Sequence, residues 1–373
     1  MDAILSRWLA VGLVILTAWP AVGGAEPQPK RRFFIVDSYH REYSWSHNVA
    51  KGFCDGMRHY GYLETDEEAE RCLAMDTVES SRAVMQRAWM DTKRWSDKDQ
   101  MLEATVAISA AIKDFQPDLL FLGDDNAANY IGQQFLDTTI PVVFWGVNNT
   151  PVKYGLVDSA ERPGHNVTGV YQSGYYVETL ELLKALVPSV KTVAILSDDS
   201  ETGRSHYKAI EYLAGQGALP VELVATVATN EFAVWKQKAL ELQERADAFF
   251  LPTYASLKDE SGNNVPGEVV ARWHLTHVHR PEATGIGAFV QHGLLCAADD
   301  SGYNQGLEAV RMAHDILARG KNPATYPPRA PKRGALIVNR QRARMLGIDI
   351  PDGVAEEIVE EASALKEPET GKP

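Results

Sequence analysis

Short apolar runs alternate with amphipathic stretches along most of the chain. In the first half the runs predict strands at residues 33–37, 71–75, 118–122 and 141–145. In the second half they predict strands at residues 192–196, 221–226, 248–251 and 285–289. Nearly continuous apolar strands with helices between them are typical of parallel sheets covered on both faces. The pattern therefore predicts a doubly wound α/β architecture in two copies.

Apolar positions that recur every three or four residues predict the helices. One helix spans about 45–60, where Val49, Phe53 and Met57 share a face; others follow Ser173 and span about 303–318. An isolated strand at 335–339 follows a proline-rich break at 322–332, so the chain can cross between the two units more than once. The spacing of apolar residues in 353–366 predicts an acidic C-terminal helix.

The first 25 residues have the pattern of an export signal. Arg7 precedes an apolar run of 12 residues, Trp8 to Trp19, and small residues stand before Glu26. The run is too short to span a bilayer as a helix, although an uncleaved anchor is the alternative. No cysteine follows the run for a lipid anchor. The sequence therefore predicts a free periplasmic protein.

Charge and cysteine content narrow the functional classes. The chain of 373 residues has 37 basic and 50 acidic residues, a net charge of −13, which argues against a nucleic-acid partner. Three cysteines exclude a disulfide-dense scaffold. In an oxidising compartment Cys54 and Cys72 can form a disulfide, or they can be buried free thiols. Cys296 lies in an apolar run and is expected in the core.

Polar and aromatic residues collect directly after the predicted strands. Ligands of open parallel sheets bind outside the carboxyl ends of the strands, so these residues are the predicted ligand-binding set. The alternative for each is a local role as a helix cap or turn residue. The set comprises Ser38, Tyr39, His40, Trp45, Asp124, Asp125, Asn126, Asn148, Asp199, Ser200, Thr253 and Tyr254.

Enzyme motifs are absent from the sequence. It contains no G-x-S-x-G, no G-x-x-x-x-G-K and no H-E-x-x-H, and it indicates no cofactor. His274, His277 and His279 are interpreted as a solvated segment and not as a metal site. A hydrolase using Asp124, Asp125 and His40 is an alternative, but capture of a ligand is favoured.

Two segments of the chain carry a family resemblance. Residues 163–170, Pro-Gly-His-Asn-Val-Thr-Gly-Val, are close to a P-G-G-N-V-T-G-V hinge, and residues 335–351 resemble the closing strand and A-x-x-L-G-I-x-I-P signature of the same family. Residues 117–120 and 140–144 resemble its first-domain pattern. The chain resembles the ABC-transporter substrate-binding family that includes tryptophan and tyrosine binders. Residues 89–95 look like an insertion.

The resemblance implies a type I periplasmic-binding-protein fold, in which two lobes close on a small ligand and the chain crosses the hinge three times. It assigns residues 33–147 and 290–321 to lobe 1, 148–289 and 322–351 to lobe 2, and 352–373 to a tail. The expected function is capture of an amino acid or a related amine or carboxylate by a monomer and its delivery to a membrane ABC permease. Ser38, Tyr39, His40 and Trp45 resemble a branch of sensing domains, so a membrane sensor kinase or cyclase is the alternative partner.

Overall fold

The computed structural model describes residues 29–95, 97–148 and 151–366. The predicted export signal, with its cleavage site before Glu26, lies outside these residues. In the described part, no helix combines the length and the apolar character needed to cross a membrane.

Two sheets form the centres of two lobes. The strands of sheet 1 are β1 (Arg31–Asp37), β2 (Thr77–Glu79), β3 (Ala83–Trp89), β4 (Leu119–Gly123), β5 (Val142–Val147) and β6 (Val167–Tyr171). The strands of sheet 2 are β7 (Thr192–Ser197), β8 (Glu222–Ala228), β9 (Ala248–Phe250), β10 (Glu282–Thr284), β11 (Cys296–Ala298), β12 (Leu336–Asn339) and β13 (Glu357–Val359). Their orders are β2-β3-β1-β4-β5-β6 and β13-β12-β11-β10-β9-β7-β8. The β2–β3 and β11–β12 pairs are antiparallel and the other pairs are parallel.

Helices cover both faces of each sheet. They are α1 (Ser44–His59), α2 (Asp66–Ala74), α3 (Lys98–Phe115), α4 (Asp124–Asn126), α5 (Gly132–Phe135), α6 (Tyr176–Leu186), α7 (Glu201–Gly215), α8 (Phe232–Leu242), α9 (Gly267–His277), α10 (Gly287–His292), α11 (Gly302–Arg319) and α12 (Arg340–Leu346). A π-helical turn, Ala127–Ile131, joins α4 to α5, and 3₁₀ turns lie at Pro151–Tyr154, Pro323–Thr325 and Ser363–Leu365. The central strand β1 is therefore buried between the helices, and Phe33 to Val36 are at most 1% exposed. The predicted doubly wound α/β architecture in two copies is confirmed.

The predicted strand at 71–75 is wrong, because this segment belongs to α2. A capping box starts the helix: the Thr65 side chain accepts a hydrogen bond from the backbone N–H of Glu68, and the Glu68 carboxylate accepts one from the backbone N–H of Thr65. Cys72 then lies against α1, where it forms a disulfide with Cys54. Of the two alternatives that the sequence left open, a disulfide or free thiols, the structure therefore has the disulfide. Cys296 is a free thiol and is buried in β11.

Two further elements differ from the sequence prediction. Residues 285–289 are not a strand, because the strand ends at Thr284 and the backbone N–H of Gly287 begins α10 by donating to the Asp299 carboxylate at 2.7 Å. The predicted C-terminal helix over 353–366 is also wrong. Residues 357–359 form β13 instead, because an extended segment can pair with the backbone N–H and C=O groups at the open edge of β12. The Glu356 backbone N–H, for example, donates to the Leu336 carbonyl.

The lobe boundaries also differ from those expected. The sequence placed residues 148–289 in lobe 2 and 290–321 in lobe 1, but β6 pairs with β5 in sheet 1 and β11 lies within sheet 2. The reason is that β6 is itself a buried parallel strand, with Val167 and Val170 fully covered. Lobe 1 therefore extends through β6, and the chain returns to this lobe with α11. The chain crosses between the lobes after β6, after β11 and again before β12.

The late helix α11 is held in lobe 1 by close packing against α1. A Cβ atom on Gly52 would collide with the carbonyl oxygen of Tyr303, and one on Gly306 would collide with the carbonyl oxygen of Val49. The two helix backbones therefore touch directly at these glycines. This contact returns the chain to lobe 1 after it has built most of lobe 2.

We predict that Gly52→Ala lowers the free energy of unfolding by about 1–3 kcal/mol, because the added methyl group forces α1 and α11 apart. Gly215→Ala is the matched control, since Gly215 ends α7 and a Cβ there meets no atom within 4 Å. The control should be neutral or slightly stabilising. Urea denaturation of both variants measures the difference, and equal stability of the two would contradict the packing argument.

Candidate functional site

The carboxyl ends of the strands of the two sheets meet at a cavity between the lobes. Its volume is about 680 Å³, which is within the usual range for a small-molecule site. Both lobes supply its walls, which are mostly polar. The lining residues are Tyr39, Thr92, Lys93, Met101, Asn126, Asn129, Tyr130, Lys153, Tyr154, Asp199, Ser200, Glu201, Thr202, Arg204, Asn230 and Ser256.

Direct bonds across the cavity hold the lobes together. The hydroxyl groups of Tyr39 in lobe 1 and Thr202 in lobe 2 are hydrogen-bonded at 2.9 Å. The ammonium group of Lys153 lies 2.9 Å from the carboxylate of Glu201, which begins α7. The described conformation is therefore closed, with its lining residues in contact across the gap.

Asp198 organises the strand ends of lobe 2. Its carboxylate accepts hydrogen bonds from the Ser200 hydroxyl at 2.6 Å, the Thr253 hydroxyl at 3.1 Å and the Ser256 backbone N–H at 2.9 Å. Asp198 is fully buried, so these donors replace the water that its charge would otherwise require. The network joins the end of β7 to the segment after β9.

Asp124 lies at the end of β4 in lobe 1, and its surroundings favour the neutral acid. Its backbone has φ of 65°, and one carboxyl oxygen accepts a hydrogen bond from the Trp45 indole N–H at 2.8 Å. Burial raises the pKa of Asp124 well above its usual range, with Asp37 and Asp125 adding to the effect and the Trp45 hydrogen bond opposing it. Burial thus favours the neutral form of Asp124 at this strand end.

Asp125 is bound by the loop that follows β5. It accepts hydrogen bonds from the side-chain amide of Asn148 at 2.7 Å and from the Tyr154 hydroxyl at 3.0 Å. The carboxylate thereby fixes the segment that carries Lys153 and Tyr154 to the cavity wall.

Lys93 brings a positive charge into this polar region. Its side chain is 2% exposed, and its ammonium nitrogen lies 4.7 Å from the Tyr39 ring centroid and 5.6 Å from the Tyr43 ring centroid. Cation–π attraction accounts for this position. Burial lowers the pKa of Lys93, while the more distant carboxylates of Asp198, Asp124 and Asp125 act in the opposite direction.

A second cavity of about 450 Å³ has His40, Tyr43 and His292 among its lining residues. The His40 imidazole lies 3.0 Å from the Asp91 carboxylate. Burial lowers the pKa of His40, and Arg94 lowers it further, whereas Asp91 raises it. Tyr39 and Lys93 line the first cavity and Tyr43 lines the second, and the centroids of the two tyrosine rings are 5.3 Å apart.

Comparison with known proteins identifies the family. The model of the family described as ABC transporter substrate binding protein matches residues 90–362 of this chain, well over half of its length. The chain belongs to this family.

Solved structures of similar proteins have the same fold as this substrate-binding protein. A domain from Streptococcus pneumoniae, solved in complex with L-Trp, is 20% identical with a TM-score of 0.67, covering 89% of this chain and all of that one. A ligand-free, open substrate binding protein with adhesive properties from Clostridium difficile is 19% identical with a TM-score of 0.63, covering 88% of this chain and 99% of that one. These likenesses confirm the predicted type I periplasmic-binding-protein fold.

A curated relative matches a short segment of the substrate-binding protein. It is a tyrosine-binding protein from Clostridioides difficile, 40% identical over 62 residues, which are 17% of this chain and 18% of the relative. This alignment thus spans under a fifth of either protein.

The predicted ligand-binding residues divide into three groups in the structure. Tyr39, Asn126, Asp199 and Ser200 line the first cavity, and His40 lines the second. The other seven are largely buried behind these walls and bonded within their own lobes. They are Ser38, Trp45, Asp124, Asp125, Asn148, Thr253 and Tyr254.

Several cavity residues were missed by the sequence analysis. The first turn of α7, which follows the predicted Ser200, contributes Glu201, Thr202 and Arg204. The start of this helix, directly after a strand end, was the sequence feature that could have identified them. Lys93 follows β3, a strand whose alternating buried and half-buried positions were not recognised. The segment taken for an insertion, 89–95, therefore starts at a strand end and carries Lys93 into the site.

The histidine motif is not a solvated segment throughout, which corrects the interpretation for His274. His274 is fully buried and lies 3.1 Å from the Glu282 carboxylate, which also pairs with buried Arg342. Burial lowers the pKa of His274 although Glu282 opposes the shift. Among the described residues, no group of three or more His, Cys, Asp or Glu side chains is placed to hold a metal ion.

We predict unequal effects on stability when each of two aspartates at the strand ends is replaced by uncharged asparagine. Asp198→Asn should lower the free energy of unfolding by about 2–4 kcal/mol, because an amide cannot replace the carboxylate that accepts from Ser200, Thr253 and Ser256. Asp124→Asn should change it by less than about 1 kcal/mol, because the neutral acid is already favoured and asparagine tolerates positive φ.

The pH dependence tests the Asp124 argument separately. An aspartate whose pKa is raised on folding adds to the free energy of unfolding at low pH. This contribution disappears as the pH rises through the pKa of the folded state. Asparagine does not titrate, so the stability of Asp124→Asn relative to the original chain should increase between about pH 4 and about pH 8. Urea denaturation across this range measures it, and a decrease would contradict the raised pKa.

Proposed function

We propose that this substrate-binding protein captures an amino acid, or a related amine or carboxylate, between its two lobes. The observation that carries the proposal is the cavity of about 680 Å³ whose walls come from both lobes and whose residues bond across the gap. Such a site is completed only in the closed state, so a ligand that contacts both walls stabilises closure. Capture, and not chemical conversion, is the proposed activity.

Two relatives support the ligand class. The similar Streptococcus pneumoniae structure contains L-Trp, and the curated relative is a tyrosine-binding protein. The hydroxyl, amide and charged groups of the cavity walls are of the kind that fixes the orientation of a small polar ligand. We extend the proposal to export into the periplasm and delivery of the ligand to a membrane ABC permease, the role from which the family takes its name.

Binding can be tested by thermal unfolding with a panel of the twenty amino acids, their amines and small organic acids. A ligand at about 100 times its dissociation constant should add about 2.7 kcal/mol to the free energy of unfolding. Native mass spectrometry should find the same ligand bound and chemically unchanged. A ligand recovered as a reaction product would contradict capture, and no shift with any compound would contradict the ligand class.

Delivery needs a separate measurement. Cells of the source organism that lack this gene should take up the labelled ligand more slowly, and the gene for the intact protein should restore the rate. Unchanged uptake, with binding intact in the purified protein, would contradict delivery to a permease and leave capture standing.

A further inference from the structure

Among the described residues that line the cavity, Lys93 is the one cation that is not paired with a carboxylate. Of the three basic residues that line it, Lys153 is paired with Glu201, and Arg204 is paired with both Asp199 and Glu201. Lys93 is the most deeply buried of the three, yet no carboxylate oxygen of the described residues lies within 4.0 Å of its ammonium group. The faces of Tyr39 and Tyr43 lie against its ammonium group instead.

The nearby acids are already engaged by the protein. Asp198 accepts hydrogen bonds from Ser200, Thr253 and Ser256, and Asp125 accepts them from Asn148 and Tyr154. In the cavity wall, Asp199 is paired with Arg204. A ligand amine would therefore compete with existing donors for these carboxylates, whereas an anion would find the Lys93 charge available.

The opposite wall also offers donors to an anion. Helix α7 begins at Glu201 with Ser200 as its N-cap, and Ser200 and Thr202 line the cavity. The N-terminal end of a 15-residue helix carries a partial positive charge. Ser256 lines the same cavity, and its buried hydroxyl has no hydrogen-bond partner among the described residues.

We propose that Lys93 binds a carboxylate group of the ligand, and that in the closed state this carboxylate also faces the start of α7 and the Ser256 hydroxyl. The ligand then needs no amino group. This inference rests on the proposed capture function and specifies its chemical class. A carboxylate placed there would form a charge-assisted hydrogen bond with a buried ammonium group, which is stronger than a neutral one. Lys93 is then the residue that sets selectivity for an acid over an amine.

Three matched sets of probes separate the two groups of an amino acid. The sets are L-tryptophan, indole-3-propionate and tryptamine; L-tyrosine, 3-(4-hydroxyphenyl)propionate and tyramine; and L-leucine, 4-methylpentanoate and isoamylamine. Isothermal titration of the full-length protein should show binding of the acid in at least one set, with affinity within about 10-fold of its amino acid. The corresponding amine should not bind.

Substitution of Lys93 tests the assignment directly. Lys93→Gln should weaken binding of the acid by about 10-fold or more, and Lys93→Arg should retain more of the affinity because it keeps the charge. Lys208→Gln is the matched control, since it removes one positive charge from the exposed side of α7. The control should bind as the unmodified protein does. If Lys93→Gln melts at a lower temperature, Lys93→Met supplies a second neutral variant with the apolar stem retained.

Each contrary result has a distinct meaning. An amine that binds as tightly as its acid, or an unchanged affinity in both neutral variants of Lys93, overturns the role of Lys93. Failure of all three acids to bind also overturns it. Binding of amines alone overturns this inference while the proposed capture function stands, whereas failure of the whole amino-acid, amine and acid panel overturns capture itself.

Discussion

Burial of both faces of two parallel sheets is the constraint on which the rest of the structure depends. Helices on each face favour apolar side chains within the strands, as the burial of Phe33 to Val36 in β1 shows. Most of the polar groups near the ligand cavity then lie where the strands end. Because parallel strands end at the same edge, each lobe collects its polar groups along one edge, and the hinge brings the two edges together. The cavity is thus a consequence of how the sheets are covered.

Charges at these edges are stabilised in three physically different ways. Asp198 accepts hydrogen bonds from three donors, Asp124 is shifted toward the neutral acid by burial, and Lys93 rests on aromatic rings with no carboxylate oxygen of the described residues within 4.0 Å. The first two are satisfied within their own lobes, since their partners are donors fixed on the same sheet edge. Lys93 differs because its described close neighbours are aromatic rings and not carboxylates, and this difference is the basis of the proposal that it binds a ligand carboxylate.

The helices and central strands were predictable because their signals are local. The apolar stripe of α1 and the uninterrupted run of β1 each report burial directly, and the structure has both where they were expected. The errors arose where a short apolar run fitted two structures. Residues 71–75 became a helix because a capping box preceded them, and residues 357–359 became a strand because β12 offered an open edge. The first cue was present in the sequence, but the second exists only once the sheet is assembled.

By itself, the sequence determined the layered α/β class, the family and the general location of the polar groups at the strand ends. These depend on residue periodicity and short motifs, which do not require distant contacts. The tertiary structure decided which of those groups reach the cavity and which serve as internal supports. Neighbours in sequence such as Ser38 and Tyr39 fall on opposite sides of that division, because one bonds to the β4 end while the other reaches across to Thr202. The position of Lys93 was likewise decided by packing, since its ammonium group follows β3 whereas the rings of Tyr39 and Tyr43 follow β1, and only the assembled sheet 1 brings them together.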